Sequence, residues 1–124
     1  MDLTVKIIPG EFSVCKVDSI SYSLLSDEFC FIGKTDNELS LVCRTDKVPE
    51  NTVSRDDSWK CFRIEGTLDF SLIGILADIS GILAENKIGL FAISTYNTDY
   101  VLTKSENFEK ALDALSKSGY DIKL

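Results

Sequence analysis

An α+β fold is the class this sequence predicts, and three observations predict it. Apolar, β-favouring runs pair across short polar segments, 28–33 with 39–44 and 90–93 with 100–102, as the arms of antiparallel hairpins do. Two stretches, 71–86 and the one that begins at Ser105, carry apolar residues at the three-and-four spacing of amphipathic helices. The second half of the chain then reads strand, helix, strand, strand, helix, strand. That is the split βαβ plan of ferredoxin-like domains, an antiparallel sheet of four strands with both helices on one face.

Taken in order, Leu3-Thr4-Val5-Lys6-Ile7 alternates apolar and polar and is expected to close in a turn at Pro9-Gly10. The β pattern restarts over 12–17, and a mixed segment, 18–26, has room for a helical turn or two. The run 28–33 is apolar on both faces through Phe29, Cys30, Phe31 and Ile32, which predicts a central strand, paired with 39–44. Residues 46–58 are polar and aperiodic around Pro49, Asn51 and Asp56-Asp57, and read as a linker between an N-terminal half, 1–58, and a C-terminal half, 59–124. Trp59 opens the next strand, which stops at Gly66.

The first helix presents Leu72, Ile75, Leu76, Ile79, Ile82 and Leu83 as one stripe, with Ser71 placed as its N-cap. Gly74 and Gly81 each cost such a helix about 1 kcal/mol relative to alanine. For Gly81 the expectation is tolerance or close packing; for Gly74, in the first turn, it is approach by a ligand or a partner backbone. The second helix presents Phe108, Ala111, Leu112 and Leu115, carries Lys117 near its end and stops at Gly119; 120–124 is a last short strand.

A chain of 124 residues is one compact domain or two small halves sharing a core, and it can bury about two-thirds of its unfolded surface. Apolar residues at 44% and charged residues at 27% belong to a chain that folds. Thirteen basic residues against twenty acidic ones leave a net charge of -7 with no basic cluster, which argues against nucleic acid as a partner. The N-terminus lacks the pattern of a signal peptide and no apolar run reaches the length of a membrane span, so no membrane is expected and a cytoplasmic protein is. Cys15, Cys30, Cys43 and Cys61 form no C-x-x-C pair, and the chain has no histidine. No metal, cofactor or catalytic residue is therefore expected, and the thiols read as reduced and buried.

The segment Ser94-Thr95-Tyr96-Asn97-Thr98-Asp99 is the most polar stretch between two apolar strands, and its hydroxyl, amide and carboxylate groups converge as they do where small ligands are held. A solvated turn is the other reading of the same residues. Laid without a gap over Ile93 to Leu102, Ile32 to Leu41 matches apolar with apolar and Glu38 with Asp99. This suggests a duplicated hairpin, in a repeat whose first copy lacks full amphipathic helices.

The run Glu65-Gly66-Thr67-Leu68-Asp69-Phe70-Ser71-Leu72-Ile73-Gly74 and the later Phe91-Ala92-Ile93-Ser94-Thr95-Tyr96-Asn97-Thr98-Asp99-Tyr100-Val101-Leu102 resemble the two motifs of small bacterial tandem ACT-domain proteins. That group is similar to the regulatory region of aspartate kinases and to CASTOR-type arginine sensors. The resemblance covers nearly the whole chain and implies two ferredoxin-like (ACT) halves, the N-terminal one degenerate. It also implies a non-enzymatic regulatory protein that binds an amino acid, is at least a dimer, and acts on a protein partner. The sequence departs from the fused forms of that group, and no attached catalytic domain is expected.

Carried over by position, the resemblance places a ligand between Asp69, Phe70, Ser71, Leu72 and Gly74 on one side and Thr95, Tyr96, Asn97 and Asp99 on the other. Chemically, free amides at a helix start favour an α-carboxylate. Asp99, with Asp69, would hold an ammonium through charge-assisted hydrogen bonds. Asp69 has an equal structural reading, as an acidic residue stabilising the helix dipole. An oligomerisation or protein-interaction module with a vestigial ligand site is the alternative function.

Overall fold

The computed structural model describes residues 3–65 and 74–124. The fold is α+β, as expected. Its elements are β1 (Thr4–Val17), a 3₁₀ helix (Tyr22–Ser26), β2 (Cys30–Lys34), β3 (Leu39–Arg44), a 3₁₀ turn (Thr45–Lys47), β4 (Thr52–Glu65), α1 (Ile75–Glu85), β5 (Phe91–Ser94), β6 (Asp99–Lys104), α2 (Ser105–Lys117) and β7 (Asp121–Lys123). Two compact units result. One comprises Met1–Pro9 with Lys60–Leu124, the other Gly10–Trp59.

The C-terminal unit is built as its periodicity dictates. Ile75, Ile79 and Leu83 of α1 and Phe108, Ala111, Leu112 and Leu115 of α2 are buried in one core with Leu3, Val5, Phe62, Ile64, Val101 and Tyr120. The ring of Phe62 packs on that of Phe108 at 6.3 Å. Strands β5, β6, β4 and β1 are neighbours in that order. β7 pairs with β1 in parallel, Thr4 opposite Asp121 and Val5 opposite Ile122.

Here the structure departs from the expected plan. The last strand does not complete an antiparallel sheet made by 59–124 alone; it lies on the opening residues of the chain, so Met1–Pro9 joins the second half rather than the first. The cause is hydrophobic: Leu3 and Val5 are 2% and 0% exposed, and their place is the core that the two helices cover.

In the N-terminal unit β3 pairs antiparallel with both β1 and β2. Cys15, Val17, Leu24, Leu41 and Cys43 form a small core, flanked by Ile20, Cys30, Leu39 and Val48. β2 stands at the end of the strand order, so the central position expected for 28–33 is corrected. Ile32 on it is 42% exposed.

Three local expectations fail for identifiable reasons. Pro9-Gly10 does not turn the chain: β1 runs through it, with Gly10 at φ +99° absorbing the irregularity next to a proline that has no N–H to offer. The expected linker 46–58 is half strand, because β4 begins at Thr52. Residues 53–58 are exposed and have no apolar alternation to announce the strand; β4 neighbours β1, and the Ser13 hydroxyl of β1 donates to Asp57 at 2.6 Å. Finally, α1 begins at Ile75 with Gly74 as N-cap at φ +89°, not as a first-turn residue; Ser71, the expected N-cap, lies outside the described residues. The left-handed backbone is reason enough for glycine at position 74. A Cβ on Gly81 would meet nothing within 4 Å, which makes it a tolerated surface glycine and not a packing one.

The two hairpins follow one pairing plan, one residue out of the expected register. Lys34 pairs with Leu39 and Phe31 with Val42; Ser94 pairs with Asp99 and Phe91 with Leu102. The copies therefore superpose Thr35 on Thr95 and Asn37 on Asn97, and Asp99 answers to Leu39 instead of Glu38. Both return strands bury the same three positions, Leu41, Val42 and Cys43 in one and Val101, Leu102 and Thr103 in the other.

Candidate functional site

The β5–β6 hairpin carries Thr95, Tyr96, Asn97 and Asp99 together. Its tip is fastened by Thr95, whose N–H and Oγ1 both donate to the carbonyl of Thr98 at 2.9 Å. The first hairpin closes the same way, the Thr35 N–H donating to the carbonyl of Glu38 at 2.9 Å. Thr95 is thus occupied in forming the turn. Tyr96, 92% exposed, and Asn97 project from it.

Asp99 sits at the base of the tip, half-buried, and its Oδ1 accepts from the Ser94 hydroxyl at 2.5 Å. Such a bond orients a carboxylate while leaving Oδ2 available to a donor. The Thr98 hydroxyl donates to the carbonyl of Ile64 at 2.7 Å, which docks the tip against the end of β4. β4 leads into 66–73, and α1 comes next. Asp69, Phe70, Ser71 and Leu72 lie outside the described residues; Gly74 is described, exposed, at the α1 start.

Two polar groupings in this unit have no counterpart among the residues that the sequence singles out. Arg63 on β4 donates from Nη1 to the Tyr100 hydroxyl at 3.3 Å and pairs with Glu65 at 2.9 Å. The hydrogen bond to Tyr100, ahead of the pairing with Glu65, pushes the guanidinium further up from an already high pKa. Tyr120, just before β7, donates to Asp78 in the first turn of α1 at 2.5 Å. Burial, then that hydrogen bond, pushes the phenol up. The start of α1 is thereby tied to the C-terminal end of the chain. Neither partnership has a local signature, since the partners are 37 and 42 residues apart.

The four cysteines are free thiols, Cys15, Cys43 and Cys61 buried and Cys30 half-buried. Burial pushes Cys43 and Cys61 up to about 12, so both are neutral at ordinary pH. Among the described residues no group of three or more metal-ligating side chains is arranged to hold an ion. No helix there is long and apolar enough to cross a membrane.

With the hairpin and its anchoring in place, the comparisons decide the family. The ACT-domain model matches residues 54–117. The chain belongs to the ACT-domain family. A second family model, for an N-terminal domain, matches residues 10–51, which is nearly the extent of the N-terminal unit. No curated protein matches the sequence.

Among solved structures, this ACT chain is similar to an Agobacterium tumefaciens protein, with 30% identity, a TM-score of 0.88, and coverage of 98% of this chain and 92% of that one. A Vibrio cholerae protein of unknown function, described as a possible transport protein, shares the fold at 21% identity and a TM-score of 0.75, over 94% and 89% of the two chains. So does the ligand-free regulatory subunit of aspartate kinase from Thermus thermophilus, at 12% identity and a TM-score of 0.63, over 93% and 96%.

Proposed function

We propose that this ACT chain is a non-enzymatic regulatory protein that senses an amino acid. The observation that carries the reading is the hairpin carboxylate: Asp99 is half-buried, oriented by Ser94, and seated on a tip anchored to the strand that leads to 66–73 and α1. In this reading Asp99 takes the ammonium, the amides at the α1 start take the carboxylate, and Thr95, Tyr96 and Asn97 with Asp69, Phe70, Ser71, Leu72 and Gly74 complete the pocket. Likeness in fold to a regulatory subunit of aspartate kinase supports it. The repeated hairpin supports a tandem ACT origin of the kind seen in the small bacterial proteins and CASTOR-type sensors. The protein works in the cytoplasm as a homodimer, relaying ligand occupancy to a protein partner.

A second reading, an interaction module with a vestigial site, draws on a specific observation: Ser94 with Asp99 and Thr95 with Thr98 satisfy each other without a ligand. A thermal-shift screen against the common amino acids separates the two. Under the sensor reading one of them raises the melting temperature. A melt that no amino acid moves favours the interaction module.

A further inference from the structure

The N-terminal unit holds three of the four cysteines, and its strand register sets two of them face to face. Cys30 on β2 is paired with Cys43 on β3. Residues directly opposite in an antiparallel pair point to the same face of the sheet. The kind of pair follows from the turn: the Thr35 N–H donates to the carbonyl of Glu38, which makes these two a hydrogen-bonded pair. Alternation along the ladder then makes Lys34 with Leu39, Ile32 with Leu41 and Cys30 with Cys43 non-hydrogen-bonded pairs. In such a pair the Cα atoms are about 4.5 Å apart and the side chains stand closest, and a disulfide accepts Cα separations of about 4.4–6.8 Å. Cys15 shares that face but lies opposite Leu41, diagonal to Cys43 at roughly 7–8 Å, outside a bridge's range. The two facing thiols also differ in access. Cys30, on the terminal strand, is half-buried, whereas Cys43 is 1% exposed.

We infer that Cys30 and Cys43 are a redox modification site, oxidised by a low-molecular-weight disulfide to a cross-strand bond that clamps β2 to β3. Cys30, as its thiolate, attacks one sulfur of the small disulfide and expels one half as a thiolate, which leaves a mixed disulfide on β2. Cys43 then gives its proton to the expelled thiolate and attacks Cys30 Sγ, displacing the other half, which takes up the proton that Cys30 released. One small disulfide is reduced to two thiols while two protein thiols are oxidised to one disulfide, so atoms and electrons balance. Burial raises both thiols, which slows each attack, but the product carries no charge for burial to oppose. Because β2 stands at the end of the strand order, a bond to β3 restrains a strand that can otherwise peel from the sheet. None of the residues of the second hairpin takes part, so this inference is independent of the sensor reading.

The test is incubation of the reduced, folded full chain with oxidised glutathione in mildly alkaline buffer, followed by alkylation of the remaining thiols in denaturant and digestion without reductant. Trypsin, cutting after Lys16, Lys34 and Arg44, leaves Cys15, Cys30 and Cys43 on separate peptides, and mass spectrometry reads the links. Expected are a chain lighter by two hydrogens before alkylation, a cross-link between the Cys30 and Cys43 peptides, and slower hydrogen exchange of the β2 amides that dithiothreitol reverses. Cys15→Ser should give the same cross-link. Cys43→Ser should stop at a glutathione adduct on Cys30, and Cys30→Ser should give neither that adduct nor the link. The inference is overturned if the folded chain gathers glutathione adducts without the cross-link, if the link joins Cys15 or two chains, or if the folded chain and the chain in urea give the same mixture of links. Exchange of the β2 amides that oxidation leaves unchanged overturns the clamp. If Cys43→Ser does not fold, Cys15→Ser, Cys30→Ser and the comparison with urea decide.

Discussion

The two hairpins of this molecule share one register and one turn, and differ in the segment that each return strand leads into. After β3 the chain makes a single 3₁₀ turn; after β6, from an N-cap residue with nearly the same backbone angles, φ -61° and ψ 144° against φ -59° and ψ 143°, it continues as the 13-residue α2. The difference lies in the next residues. Thr45-Asp46-Lys47-Val48-Pro49 meets proline before an apolar stripe can form, whereas the residues from Ser105 onward supply Phe108, Ala111, Leu112 and Leu115 at helical spacing. A hairpin is thus specified by its own register, but the depth of the core beneath it is set by the helix that returns over it.

The largest effect expected from this contrast is in the cores. Leu115→Ala removes a fully buried side chain from a core of strands and two helices, and should cost roughly 4 kcal/mol; Leu24→Ala, in the small N-terminal core, should cost about 2 kcal/mol, since its cavity can collapse. Urea denaturation of both variants checks the order. Equal losses would mean that the N-terminal core is as tightly packed as the other.

Next in size is the tie between α1 and the C-terminal end of the chain. Tyr120→Phe deletes the hydroxyl that donates to Asp78 and should lower stability by about 1.5–3 kcal/mol, toward the low end because Asp78 is exposed and water replaces the donor. Hydrogen exchange should rise in the first turn of α1 and not in the N-terminal unit.

The glycines of α1 give smaller effects of opposite sign. Gly74→Ala forces a Cβ into the left-handed region and should destabilise by about 1–2 kcal/mol. Gly81→Ala meets no neighbour and should stabilise by about 1 kcal/mol. Thermal melts of the pair decide whether backbone conformation, and not packing, explains both residues.

The thiols add a pH signature. Cys43 in one unit and Cys61 in the other are both raised from 9.0 to about 12 by burial. The unfolded chain therefore releases these protons first, and stability, fully present below about pH 9, should fall as pH rises from there toward 12. Native labelling should be fastest at half-buried Cys30, on the terminal strand β2, and slow at the other three. Uniformly slow labelling would place Cys30 in a better-covered position than its strand suggests.

The sequence made these contrasts legible where apolar spacing was strong. The four core residues of α2, its stop at Gly119 and the pairing of both hairpins could be read directly, because burial on one face forces a period. It was silent where exposed residues continue a strand without apolar alternation, as in 53–58 of β4, and where position 74 supplies a left-handed cap. The match between the two hairpins reads one residue off, since alternation aligns apolar residues equally well in more than one frame, and the strand pairings with the Thr35 and Thr95 turn bonds fix it. Of the candidate site, the tip of the second hairpin was visible as a polar insertion between apolar runs. Arg63 with Tyr100, and Asp78 with Tyr120, were not, because long-range partners leave no trace in local spacing.

The sensor reading meets its most direct test in one pair of melts, wild type and Asp99→Asn, each with and without the amino acid that most stabilises the wild type. At about a hundredfold its dissociation constant a ligand adds roughly 2.7 kcal/mol, a rise of roughly 5–20 °C for domains spanning this size. The account predicts that Asp99→Asn melts nearly as the wild type does without ligand and loses most of that rise with it. An equal rise in both proteins, or a variant that is already unfolded without ligand, would contradict the role given to Asp99.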